Sequence, residues 1–458
     1  FGDLILFPFF VVLSSLFFRR IRNTYNDPLL RKYHRQGFWI KMLGCFAFTI
    51  FSVYLSPGDS IGLYHQEGNN MYHLILQNPE HLKWLFSKGK DFDEAFLKTQ
   101  YNVGYFKSEA NYIVTKFVAV FSFITLGRYA AINVIFACIA FSGLWKLFLF
   151  FYEQYPHMHK KFAIAILYFP TLVFWSSGIL KDPLCIASIG WITYAVYELL
   201  YRKKKILKNL IIFSAFAWLL AILKVYILIS YLPLFVLFII LKNIQGIKSP
   251  LLRYMLAPVL IVASMFCFTS VLNSYDDELG AYAVQDITKS IQHLNGAFTA
   301  MNGNETAESN FDLGVEFDGS VHGLIKLAPV AIFTTFFRPF LWESGKLSSL
   351  MASLESLILL FFTVYVVFKS GLRMFTKLVL SDALIMYCFF FSIVFALFVG
   401  ASTLNFGTLV RYKIPCLPFY TISLFLIYEK VKERAARRRL QKAKTFADTD
   451  IAFPQMAI

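Results

Sequence analysis

Charge is what this chain has least of. Only 16% of its 458 residues are Asp, Glu, Lys or Arg, against about a quarter in a soluble globular protein. That shortfall excludes a string of water-soluble domains. The chain has no Walker A run and no Gly-x-Gly-x-x-Gly after a strand, so it carries no recognisable site for a soluble nucleotide donor. It has no His-Glu-x-x-His and no Ser-centred elbow, which removes the common metalloprotease and serine hydrolase signatures. The six cysteines, Cys45, Cys138, Cys185, Cys267, Cys388 and Cys416, form no Cys-x-x-Cys pair. All lie in or beside apolar segments and read as small buried residues, neither disulfides nor metal ligands. No internal repeat is apparent, which weakens the case for an inverted-repeat transporter.

What is abundant is apolar surface. The chain is 57% hydrophobic and 18% aromatic, with 52 Phe and a mean hydropathy of +0.58. Its apolar runs are continuous over about 20 residues, long enough for a hydrocarbon core of about 30 Å. A β-barrel would alternate instead. The fold class expected is all-α, a polytopic transmembrane protein with about eleven spans near 2–18, 38–56, 129–152, 162–179, 184–200, 206–223, 225–241, 254–272, 347–368, 382–401 and 413–429. Residues 1–458 then form a single transmembrane domain. Leu4–Phe18 has its basic flank on the C-terminal side and no small-residue cleavage site, so it reads as a retained span.

The net charge of +16 is distributed as a membrane protein distributes it. The loops 19–41, 157–161, 201–208, 242–253 and 369–377 and the tail 430–444 hold 28 of the 44 Lys and Arg. They alternate consistently if the N-terminus lies outside and the C-terminus inside, with a basic cytoplasmic tail over 430–458. Anionic membrane lipids are natural partners of those tracts; nucleic acid is not expected. The run 112–127 is short, and a full crossing would invert every later loop, so it is read as re-entrant. Two long outer loops follow, 57–111 and 273–346. His73–Phe86 has the mixed composition of a helix at the interface. Leu324–Phe337 is a second short apolar run, interfacial or re-entrant.

With this topology the unusual polar residues gather on the outer side. They are Asp59, Tyr64 and His65; Lys116; Lys181 and Asp182; Lys224 and Tyr226; Arg338 and Glu343; and Arg411, Tyr412 and Lys413. An intramembrane charge costs roughly 2.5–3.5 kcal/mol at a helix centre, so each needs a partner or a role. Asp59, in Ser56-Pro57-Gly58-Asp59-Ser60, is either a general base on a lipid-borne substrate or a solvated turn acid. Lys181, in Trp175-Ser176-Ser177-Gly178-Ile179-Leu180-Lys181-Asp182-Pro183, either meets a lipid phosphate or pairs with an acid. Arg338 either grips a phosphate bidentately or pairs with Glu343. Arg411 either neutralises a leaving diphosphate or anchors at the interface with Tyr412. Lys224 and Lys413 can snorkel. Glu355, inside a span, reads as a packing acid facing a Lys. Asn304-Glu305-Thr306 matches a glycosylation sequon.

These residues resemble a family. Gly58-Asp59-Ser60 with Tyr64, directly after an early span and opening a large outer loop, resembles the signature of GT-C membrane glycosyltransferases. Arg411-Tyr412 before the proline-bearing last span is similar to an Arg-Tyr element near the end of many of them. The Trp175–Asp182 turn and Phe336-Phe337-Arg338-Pro339-Phe340-Leu341-Trp342-Glu343 resemble segments of bacterial membrane proteins from polysaccharide clusters. The resemblance implies a sugar moved from a polyprenyl-phosphate carrier to a glycan, lipid or protein acceptor on the outer face of a bacterial inner membrane. Asp59 would be the base or a metal-proximal group. Tyr64, His65, Lys116, Lys181, Asp182, Arg338, Glu343, Arg411 and Tyr412 would line the substrate site. The chain departs in lacking the usual Asp-Glu pair of the first loop and a soluble C-terminal domain, so no cofactor is implied firmly and divalent-cation dependence stays open. A polysaccharide polymerase or ligase and a non-catalytic membrane subunit or transporter are the rival readings.

Overall fold

The computed structural model describes residues 2–56, 58–91, 93–98, 103–244, 310–315, 321–345 and 347–451. Among them the chain is helical throughout, with no strand and one isolated bridge, Asn310 to Asn405. Seven helices are long and apolar enough to cross a membrane, or eight if the bent pair Phe406–Tyr412 and Leu417–Ala443 is one span. The protein is therefore a polytopic helical membrane protein. The expected span 254–272, the sequon and most of the loop 273–346 lie outside the described residues.

Helix α1 is Gly2–Asn23. Helix α2, Pro28–Ile50, starts where Asp27 caps the amide of Leu29 and Pro28 takes the first helical position, a residue order that favours helix starts. It continues as a π turn to Leu55. Helix α3 is Gln66–Gln77 and α4 is Glu109–Thr125. Helix α5, Tyr129–Gln154, is the central span. Next come α6, His159–Ile166, α7, Pro170–Trp175, α8, Lys181–Tyr197, and α9, Ile206–Ile244. The last part holds α10, Val321–Phe337, α11, Leu347–Ser370, α12, Leu372–Ser381, α13, Ala383–Ser402, α14, Phe406–Tyr412, and α15, Leu417–Ile451. The basic tail is thus a direct continuation of the last span.

Helices α5 and α8 meet backbone to backbone. A Cβ on Gly190 would stand 1.9 Å from the Gly143 carbonyl oxygen. Small residues at such a crossing let membrane helices pack closely where lipid supplies no hydrophobic drive. Gly190→Ala is expected to cost about 1–3 kcal/mol through overpacking. Thermal unfolding in lipid nanodiscs reads this; an unchanged midpoint would mean the helices separate freely.

Helix α9 is two antiparallel legs that meet at Lys224, whose φ of −156° and ψ of 80° leave the helical region. Thirty-nine residues in line would extend about 58 Å. Yet Phe216 of the first leg stacks on Trp191, and Tyr231 of the second bonds to Thr193. Lys242, near the far end, lies over Tyr201, next to where the first leg began. The expected segments 206–223 and 225–241 are therefore both present, joined by a bend and not by a loop.

The expected span 162–179 is not one helix. It is broken between α6 and α7, and unwound again over Ser176–Leu180. Pro170 has no amide to donate and pushes Phe169 out of the helical region, where φ is −67° and ψ 116°. The segment still runs the length of α5. Phe162 packs on Phe151 near one end, and the Ile179 amide bonds to Asn133 near the other.

Helix α4 lies across the Asp59 end of the bundle. Tyr64 reaches Asn111 at its start, and the adjacent His65 reaches the Gly127 carbonyl just past its finish. One short segment holds both ends of a helix about 25 Å long. His73–Phe86 is not a single interfacial helix. Asn78 ends α3 and its side chain caps a 3-10 turn over Pro79–Leu85, which tucks Trp84 into a small core with Met71, Ile75, Phe96, Tyr112 and Ala119. Helix α10 enters alongside α13, with Thr335 bonded to the Ala396 carbonyl, and returns through 338–345 to α11.

Candidate functional site

Four charged side chains meet at one end of the bundle, and each sits where a helix is interrupted. Asp59 follows Gly58, whose φ of +47° is a conformation that favours glycine. Asp182 lies in the first turn of α8, directly after the unwound turn. Lys224 is the bend of α9. Arg411 is in the last turn of α14, which meets α15 at 62°. Acid at a helix start and base at a helix end both suit the backbone dipole. Irregular backbone at membrane depth is tolerated where protein covers it.

Asp182 is the hub and is fully buried. Its Oδ1 accepts from Lys224 Nζ at 2.6 Å, and its Oδ2 stands 3.0 Å from Arg411 Nε. The second contact is an ion pair set off the hydrogen-bond direction. Arg411 Nη1 then reaches Asp59 Oδ2 at 3.5 Å. Asp59 keeps 37% of its side-chain surface exposed, whereas Arg411 keeps 16%, so Asp59 stands at the mouth and the ion pairs recede behind it. Tyr412 lies under both cations, its ring 4.0 Å from Lys224 Nζ. Lys181, next to the hub, is within electrostatic reach of Lys224 and Arg411. Among the described residues no side chain pairs with it. The group therefore sets three cations against two carboxylates, an arrangement one charge short of balance that suits an anion.

One wall is aromatic. Tyr64 is buried, donates to Asn111 Oδ1 at 3.1 Å and lies 3.0 Å from the Tyr105 hydroxyl. Burial raises both phenol pKa values, so both hydroxyls stay protonated. Asn111 in turn donates to the Tyr105 carbonyl. Tyr105 and Asn111 were not among the residues expected at the site. Nothing in the local sequence marks Tyr105, which reaches Tyr64 only because the chain over 103–106 folds back beneath α4.

The other expected residues make contacts of their own. His65 contacts Gly127 O at 2.9 Å and packs edge-on to Tyr129; burial lowers its pKa. Lys116 pairs with Glu109 at 3.4 Å, over the Tyr112 ring, in the α4 layer. Tyr226 stacks on Phe395. Arg338 takes the pairing alternative: Glu343 fills its fork, and its guanidinium lies beside the stacked Phe311 and Phe406 rings, 4.8 and 5.0 Å from their centroids. Lys413 does not snorkel. It is buried and donates to Ser356 Oγ and the Arg338 carbonyl. Glu355 accepts from the Thr171 amide and hydroxyl. Lys224 and Glu355, whose lack of a partner would have favoured a transporter, are both partnered.

Arg411 occupies the gap between the two site carboxylates, where a metal ion would have to displace it. Among the described residues one triad, His157, Glu429 and Glu433, is close enough to share a cation. It lies at the opposite end of the bundle, and Lys161 already pairs with Glu429.

Fold and site together define a polytopic helical membrane protein with a buried ion-pair network opening at one end through Asp59. No protein family model, curated protein or solved structure matches the chain, so a functional reading rests on these residues themselves.

Proposed function

We propose that the protein is a membrane glycosyltransferase of the GT-C kind. It would move a sugar from a polyprenyl-phosphate carrier to a glycan, lipid or protein acceptor, on the outer face of a bacterial inner membrane it crosses about eleven times. The observation that carries this is the contact of Asp59 with Arg411, two residues 352 apart in sequence, with Lys181, Asp182 and Lys224 directly behind. A solvated turn acid would have stood alone.

In this reading the acceptor hydroxyl oxygen attacks the anomeric carbon. Its proton passes to the Asp59 carboxylate, and the bond from that carbon to the carrier phosphate breaks with its electron pair on phosphate. Lys181 and Arg411 stabilise the charge gathering there, in a site where low dielectric makes fixed charges count most. Asp182 holds Arg411 and Lys224 in place. Tyr105, braced by the buried Tyr64, offers its hydroxyl to the sugar. Arg338, filled by Glu343, takes no part in phosphate binding.

The test is release of polyprenyl phosphate by the purified protein in lipid, from a panel of polyprenyl-phosphate sugars with candidate acceptors. Turnover of at least one donor is expected. A folded protein that releases nothing across the panel, and that binds polyprenyl phosphate no better than a neutral polyprenol, would refute the reading.

A further inference from the structure

Two buried charges that the proposed chemistry does not use hold the same short helix. Helix α7 is six residues long and lies inside the bundle, broken from α6 on one side and unwound on the other. At its start, the Glu355 carboxylate of α11 accepts from the Thr171 amide at 2.9 Å and from the Thr171 hydroxyl. At its end, Lys41 of α2 donates to the Val173 carbonyl at 3.3 Å and to Ser176 Oγ. The signs follow the helix dipole: acid at the amide end, base at the carbonyl end. Lys41 is 1% exposed and, among the described residues, has no carboxylate partner. An ionisable side chain kept inside a membrane bundle without a counter-ion marks a position with a role.

The role follows from what comes next in the chain. Across the five residues that follow α7, the unwound turn delivers Lys181 and Asp182 to the site. That turn is tied back to α7, with the Ser176 and Ser177 amides bonded to the Leu172 and Phe174 carbonyls and Ser177 Oγ donating to the Val173 carbonyl. Beyond it the Ile179 amide bonds to Asn133 Oδ1 at 2.9 Å, while Gly178 packs against the Phe48 ring. An unanchored six-residue helix does not hold itself in place, since a helix this short is marginal alone.

We propose that Lys41 and Glu355 are positioning residues. Clamping α7 at its two ends, they set the register of the Ser176–Leu180 turn and so the placement of Lys181 and Asp182. Their importance for lipid-phosphate binding rests on the functional reading above; the clamp itself does not.

The test separates the two. Amide hydrogen exchange is followed in nanodiscs for Lys41→Met, Lys41→Arg, Glu355→Gln and Ser176→Ala, the last removing a clamp partner while leaving both charges. Exchange over Ser176–Leu180 is expected to rise about 10-fold or more in Lys41→Met and Glu355→Gln, with α5 amides unchanged, as local opening becomes easier. Ser176→Ala should move the same way by less, and Lys41→Arg should stay near wild type. Unchanged exchange over this turn in Lys41→Met and Glu355→Gln overturns the clamp. Binding of polyprenyl monophosphate is measured on the same samples beside Lys181→Met. Parallel losses of about 10-fold in Lys41→Met and Lys181→Met, 1.4 kcal/mol each, support the link to the site. Faster exchange with undiminished binding in both sinks the phosphate reading and leaves the clamp standing.

Discussion

Asp59→Asn should lower polyprenyl-phosphate release by about 10²–10⁴-fold, the range that a positioned general base supplies. The substitution keeps the size of the side chain and removes its ability to take a proton. It should leave the fold intact. Asp59 is more than a third exposed, and its contact with Arg411 is long at 3.5 Å, so the pair is worth at most about 1 kcal/mol to stability. The measurement is single-turnover release in nanodiscs beside a thermal unfolding curve. A variant that melts with wild type and no longer turns over identifies Asp59 as the base. Equal release by both proteins would retire Asp59 and shift the chemistry to Arg411 and Lys181, as a polymerase or ligase reading expects.

Asp182 should behave in the opposite way. It is fully buried, and Lys224 and Arg411 both depend on it. Asp182→Ala strands two cations inside the bundle, and breaking a buried pair from one side costs about 3–5 kcal/mol. Loss of folded protein, or a large drop in unfolding midpoint, is therefore expected before any kinetic effect can be read. The double variant Asp182→Leu with Lys224→Met should recover part of the loss, because removing both partners of a buried pair is far less costly than removing one. If Asp182→Ala unfolds within about 1 kcal/mol of wild type, the network is water-filled and weak, and the hub role is wrong. Asp59 at the mouth and Asp182 behind it thus predict a clean division: one acid for turnover, one for the fold.

Much of the architecture was legible because a bilayer imposes a coarse rule. Apolar runs of the right length with few charges had to be helices, and the edges of α5, α11 and α13 fall within three residues of the expected spans. The interruptions were less legible. Pro170 announced a break, but the segment 162–179 still read as one span, since its apolar length alone satisfies the rule. What keeps the break tolerable is a pair of charges from α2 and α11. Lys41 carries a usable signal, a lysine at the start of an otherwise apolar run, although within 19–41 it also reads as one more loop cation. Glu355 stands out in sequence as an intramembrane acid, yet nothing nearby in sequence says that it accepts from a backbone amide 184 residues away.

The site divides along the same line. Residue type and spacing single out the unusual polar residues, because charges in apolar segments are costly and few, but of these Asp59, Asp182, Lys224, Arg411 and Tyr412 are the ones that come into contact as one group. Composition and hydropathy determined the class: an all-helical membrane protein with its basic tracts between spans. Which charges touch was decided only by tertiary packing. Arg338 and Arg411 look alike in sequence, each beside aromatics and close to a proline. Glu343, five residues on, folds back to fill the fork of Arg338, whereas the bend after α14 aims Arg411 at two carboxylates contributed by distant helix breaks. An ion pair falls off within a few ångströms, so its existence depends on where broken helices place their ends, and that placement is a property of the whole bundle.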